Sequence, residues 1–352
     1  MKATLVLEDG VSLSAEACGG SGERIGRLLL NTAVVGYQEM LTDPANAGRI
    51  LLLTYPLIGN YGTAEKFNQS GKTWAAGLAV KEISRIFSNW QAQESLPDFA
   101  RRNDVCVLSQ IDTRTLAVHL RQKGEMLAIF STKTSSVKDL AARLQAYKER
   151  PPVSLLPQIS MRGADTPVSA KGIKTVVLDL GVTKSLLSGL AENGFKVVLA
   201  GYDTPAEHIL KLRPKAVIVS GGPEEDPGLD IAMQAVKELA GKVPLLGVAT
   251  GHQVLARALG AQVAPMKLGH HGVNYPVQHA PSRISAITVQ NHSLSVDPDS
   301  LSSLKGIRVT GYNLNDRTVE EIESATLRCL GVQYEPTPAV YARFKKLIER
   351  SR

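Results

Sequence analysis

The chain has 352 residues, 43% of them apolar and 21% charged, with a formal net charge of +7. That length suits two domains of ordinary composition, and no apolar run reaches the roughly 18 residues a membrane span needs. Aromatics are 5%, and the basic residues are scattered instead of forming a stripe with stacking rings, which argues against nucleic acid as a partner.

The opening "MKATLVLEDG" has one lysine and then a strand-like run, with neither the apolar core nor the cleavage site of a signal peptide. The expected location is cytoplasmic. Cys18, Cys106 and Cys329 are far apart and form no CxxC pair. They are expected as small apolar residues of a reduced protein, not as a metal site or a disulfide framework.

Strand-like runs lead the first part of the chain: "ATLVLE", "RIGRLLLNTAVV" and "GRILLLTYPLIG", followed by mixed segments around "GLAVKEIS" and "TLAVHLRQKG". They predict a mixed α/β or β-rich domain over 1–149 without regular alternation. Residues 150–171, within "RPPVSLLPQISMRGADTPVSAKG", are crowded with Pro, Ser and Gly and read as a linker. From 172 to 352 the pattern becomes regular. "IKTVVLDLG", "FKVVLAG", "KAVIVSGGP" and "KVPLLGVA" are buried strands, and "KSLLSGLAENG", "TPAEHILKLRP", "GLDIAMQAVKELAG" and "GHQVLARALG" are helices between or after them. Such alternation predicts a doubly wound parallel sheet covered on both faces, with ligands at the carboxyl ends of its strands. The C-terminal "ARFKKLIER" is the densest basic cluster and reads as a solvated helix face.

Two features lie at those carboxyl ends, "SGGPEEDP" and "GVATGHQVLA". The second has the spacing of a nucleophile elbow, a tight strand-to-helix turn flanked by glycines whose apex residue projects at a helix N-terminus. Its apex is Ala249. Two other motifs weigh less. "SGKT" at 70–73 lacks the first glycine of a phosphate-binding loop, since Lys66 stands there. The adjacent His270 and His271, with His252, His279 and His292, are expected to form structural hydrogen bonds; adjacent strand residues face opposite ways and suit a shared metal poorly.

"GVATGHQVLA" resembles the G-x-C-x-G-H-Q elbow of class I glutamine amidotransferases, and the chain as a whole resembles the small subunit of carbamoyl-phosphate synthetase. "NTAVVGYQEMLTDPANAGRILLLTYPLIGNYG", "QIDTRTLAVHLRQKG", "LGHHGVNYPV", "QNHS" and "LNDRTVE" carry the likeness in order; it is weakest over 125–170 and after Gln333. The resemblance implies glutamine hydrolysis, with ammonia passed to a large subunit that makes carbamoyl phosphate for pyrimidine and arginine synthesis. ATP and metal would belong to that large subunit, and no cofactor or metal is expected in this chain.

Carried over residue by residue, the resemblance implies a degenerate site. Ala249 stands at the nucleophilic Cys, and in "QYEPTP" Glu335 stands at the catalytic His and Thr337 at the Glu. Of the glutamine pocket, Ala45 replaces a Ser and Glu224 sits near the second glycine of the loop, which is one residue longer here. Ser293 and Leu294 replace Gly and Phe after Asn291, while Gly222, Gln253 and Asn291 are kept. Thr250 neighbours the apex, but its side chain is expected to turn away from it. Three readings stay open: a non-catalytic partner of a large subunit, a stand-alone regulatory or ligand-binding module, and an active amidotransferase with another nucleophile.

Overall fold

The computed structural model describes residues 1–133, 136–161, 164–167 in backbone only, and 171–350. The chain divides into two compact units, Met1–Pro152 with Lys267–His271, and Val153–Met266 with Gly272–Arg352. No helix among the described residues is long and apolar enough to cross a membrane.

The first unit is a closed barrel of seven strands. In order around the barrel they are Lys2–Leu7, Ser12–Gly19, Cys106–Ser109, Gly77–Ala79, Ile50–Leu53, Glu23–Asn31 and Met126–Ser131, the last pairing back to the first. Alternation sends Leu5, Leu7, Leu28, Leu30, Ile50, Leu52 and Phe130 into one core, as period-2 side chains require. Tyr37, Leu41, Leu51, Leu53 and Phe99 fill a second cluster outside it. The strand-like runs of the sequence are therefore barrel staves, closed by pairings between distant segments. The "SGKT" hydroxyls are tied to backbone: Ser70 donates to the Thr42 carbonyl at 2.7 Å and Thr73 to the Asn103 carbonyl at 3.3 Å.

The second unit is built on a ten-stranded sheet whose parallel centre runs Phe195–Gly201, Ile173–Asp179, Ala216–Val219, Leu245–Val248 and Cys329–Val332. These strands are apolar along their length because both faces are covered. One face packs under the helices Ala206–Lys211, Leu229–Leu239 and Thr250–Ala258. The other packs under Lys184–Glu192 and Pro338–Glu349. This doubly wound arrangement follows the expected alternation. The C-terminal helix is amphipathic, not merely solvated: Val340, Tyr341, Phe344, Leu347 and Ile348 are buried, and Arg343 reaches buried Glu321 at 2.6 Å.

The expected linker is largely structured as part of this second unit. Asp226, at the end of "GGPEED", accepts from the Ser154 hydroxyl at 2.5 Å, and from the backbone N–H groups of Leu155, Leu156 and Gly228 at 2.5, 3.2 and 2.8 Å. Residues 164–167 then add an antiparallel strand beside Phe195–Gly201. A Pro- and Ser-rich stretch reads as loose because it lacks periodicity; a buried carboxylate 70 and 71 positions away gives its backbone donors a partner. The remaining linker residues 162, 163 and 168–170 lie outside the described residues.

Candidate functional site

The elbow forms where the strand Leu245–Val248 meets the helix Thr250–Ala258. Ala249 adopts φ 50° and ψ −116°, a conformation that costs a non-glycine residue roughly 1–3 kcal/mol. Its N–H donates to the Val332 carbonyl at 2.9 Å, and its carbonyl accepts from His252 N–H at 2.9 Å. Both flanking glycines are sterically required. A Cβ on Gly247 would lie 2.5 Å from the Gly251 carbonyl oxygen, and one on Gly251 would lie 2.1 Å from the Val219 oxygen. The turn keeps the strained geometry that presents a nucleophile, with a methyl group at its apex.

Thr250 does not substitute for that nucleophile. Its hydroxyl is buried and donates to the Gly222 carbonyl at 2.5 Å, so it is turned onto the neighbouring loop. Gly222 is itself fixed by packing: a Cβ there would lie 1.9 Å from the Leu180 oxygen. Gly221 faces the apex, and a Cβ on it would stand 3.5 Å from the Ala249 methyl. The loop thus lies directly against the elbow.

Glu224, two residues past Gly222, is 5% exposed and turned inward. Its Oε2 accepts from the Ser293 N–H at 2.7 Å. Its Oε1 accepts from Gln253 Nε2 at 2.6 Å and from the Leu294 N–H at 3.3 Å. Gln253 Nε2 also contacts the Leu294 carbonyl at 3.2 Å and Gln333 Oε1 at 3.3 Å. Gln253, Ser293 and Leu294 therefore converge on one carboxylate. Asn291 is partly buried in the same strand, Ser285–Val296. Ala45 belongs to the first unit, in the 3-10 turn Pro44–Asn46, where its N–H donates to Asp43 at 2.9 Å.

Glu335 is exposed, and its N–H donates to the Val289 carbonyl at 3.1 Å. Partial desolvation pushes its carboxyl above the usual range, and a bond from the Ser185 hydroxyl pulls it back. Thr337 caps the helix Pro338–Glu349 through its backbone; its side chain makes no capping bond. Neither residue offers an imidazole–carboxylate relay.

Beneath the elbow lies a polar interior that the motifs only partly signalled. Gln290 donates to Glu320 at 2.9 Å, Asn313 donates to Glu320 at 3.1 Å, and His292 contacts the Leu294 carbonyl at 2.9 Å and Gln290 Oε1 at 3.1 Å. His279 meets the Ser282 hydroxyl at 2.8 Å, and in the first unit His271 meets Glu125 at 3.0 Å. His270 is buried. His252 departs from the expected hydrogen bonding. It is fully buried, and its ring nitrogens make no well-formed hydrogen bond among the described residues, although the Gly331 backbone lies close enough to the ring to act on it weakly. The ring packs on Gly331, where a Cβ would lie 2.4 Å from Nδ1. Burial drives its pKa down to about 4; Glu320 pulls upward, His292 pushes further down, and the Gly331 backbone pulls slightly upward. Gln333 and Glu320 were missed as site-lining residues; only the polar letters inside otherwise apolar strands hinted at them. Cys106 and Cys329 are buried free thiols pushed up to about 12 by desolvation, so neither supplies a ready nucleophile.

A strained strand–apex–helix turn on a doubly wound parallel sheet, with a glycine-rich loop against it, defines an amidotransferase-like unit of class I. Residues 176–339 match the family model for glutamine amidotransferase class-I, and residues 5–130 match that for the carbamoyl-phosphate synthase small chain, CPSase domain. The carbamoyl phosphate synthase small chain of Akkermansia muciniphila is 35% identical, with 100% of this chain and 99% of that one covered. That of Chlorobaculum tepidum is 36% identical over 99% and 98%. The pyrimidine-specific small chain of Bacillus subtilis is 35% identical over 99% and 96%. The chain belongs to the carbamoyl-phosphate synthase small-chain family.

Proposed function

We infer that this chain is a small-chain family member without glutaminase activity, kept as the non-catalytic companion of a carbamoyl-phosphate synthase large subunit. The observation that carries the reading is Ala249, held at φ 50° and ψ −116° where chemistry needs a thiolate. A methyl group has no lone pair with which to attack a carboxamide. Glu335 and Thr337 support the reading, because neither can shuttle a proton as a His–Glu pair does.

Retention of the partner is supported by likeness along the whole chain, including 5–130, and not only around the elbow. Such a companion would act in the cytoplasm, with ATP and metal held by the large subunit, which would draw on free ammonia. The test combines the purified chain with the large subunit of its host. Co-elution is expected, and carbamoyl phosphate should form from ammonium but not from glutamine. Synthesis from glutamine at a comparable rate overturns the reading; failure to co-elute moves the chain to a stand-alone regulatory role.

A further inference from the structure

The bonds around Glu224 describe a receptor and its occupant. The receptor is two consecutive backbone N–H groups, of Ser293 and Leu294, and the side-chain amide of Gln253, all within 3.3 Å of one carboxylate. Convergent main-chain donors of this kind recognise carboxylates in general, and the charge on the acceptor shortens and strengthens the bonds. The donors come from a helix and a strand of the sheet unit, whereas the acceptor comes from the loop that lies against the elbow. Gln253 lies one helical turn beyond Ala249, so the cradle adjoins the apex.

We propose that Glu224 is a ligand supplied in cis: its carboxylate fills a cradle beside the elbow that fits the carboxylate of a free small carboxylic acid, and so closes that cradle from within. A tethered group acts at an effective concentration on the order of mM or above, and this one needs no diffusion to reach its donors. A free carboxylate must displace it to enter. The proposal rests on assigning Gln253, Ser293 and Leu294 to the ligand pocket; it does not depend on whether the elbow catalyses. It makes Glu224 the residue that excludes glutamine, a separate device from the loss of chemistry at Ala249.

The same bonds also tie the loop to the strand, so a purely structural latch must be told apart from an occupied receptor. The experiment compares the full-length protein with Glu224→Ala by thermal melting and titration calorimetry, adding sodium acetate or L-glutamine against sodium chloride at equal ionic strength. The expected result is a variant that melts lower than the parent and is raised again by acetate and by glutamine. Half the rise should come at a concentration at least tenfold below any effect on the parent. Equal responses to chloride and acetate, or none to either carboxylate, overturn the proposal. Should Glu224→Ala fail to fold, Glu224→Ser takes the same measurement; if neither folds even in acetate, the cradle cannot be filled from solution and the proposal falls. A glutaminase assay on the variant separates this from the non-catalytic reading. Binding without hydrolysis supports both, hydrolysis keeps the occupied cradle and sinks the non-catalytic reading, and absence of both rescue and hydrolysis sinks only the cradle.

Discussion

Ala249→Cys, made alone, is expected to leave the protein without measurable glutaminase activity. The new thiol would sit at the N-terminus of the nine-residue helix Thr250–Ala258, where the helix dipole favours a thiolate. That help is incomplete. The resemblance puts Glu335 where the family has its imidazole, and a carboxylate in that place repels a thiolate instead of accepting its proton. Neither Glu335 nor Thr337 replaces the imidazolium that would protonate the leaving ammonia. Loss of one member of a catalytic triad alone costs about 10⁴- to 10⁶-fold in turnover, and two members would still be missing. Adding Glu335→His and Thr337→Glu should lower the thiol pKa, read from the pH dependence of its alkylation, and restore at most weak turnover. Glu224 still fills the carboxylate cradle in that triple variant, so removing it as well should raise turnover further, through KM before kcat. Robust hydrolysis by the single variant would place the base somewhere other than residue 335.

The second large effect is acid sensitivity from His252. Its folded pKa of about 4 lies below the ordinary histidine value of 6.5, so the fold favours the neutral ring. The stability it protects is fully present above about pH 6.5 and is lost as pH falls toward 4, because the unfolded chain takes up the proton first. The shift corresponds to about 3 kcal/mol across that window. His252→Leu is of similar volume and removes two buried nitrogens that make no well-formed hydrogen bond among the described residues. It should therefore hold or gain stability at pH 7 and lose less between pH 6.5 and 4. Urea unfolding of both proteins across that range gives the difference, in which the other titrating groups largely cancel. Parallel acid limbs in the two proteins would show that His252 is not the group responsible.

The elements that the sequence made legible are those encoded by near neighbours. The elbow is one: Gly247, Ala249 and Gly251 fix its steric demands within five residues, and the strained φ at Ala249 follows from the same spacing. The parallel sheet is another, since fully buried strands read as unbroken apolar runs such as "KAVIV". What could not be read depends on partners far away in sequence. Glu224 was legible as an intruder in a glycine position, but not as an acceptor for Gln253, Ser293 and Leu294, which lie 29, 69 and 70 positions on. Barrel closure is similar, joining Thr4–Leu7 to Ala128–Ser131. The Ser154–Leu156 stretch reads as linker because its anchor, Asp226, is 70 to 72 positions away. The state of His252 is not legible either, because burial without a well-formed hydrogen bond is rare and a polar letter in a helix carries no sign of it.

The central claim is that a complete amidotransferase frame here holds no glutaminase. The most direct measurement is ammonia release from L-glutamine by the purified chain, alone and with a large subunit, at near-neutral pH. The account predicts no release above the buffer background, with Ala249 giving no covalent intermediate to trap. Turnover on the order of 1 per second or faster, retained after repeated purification, would contradict it.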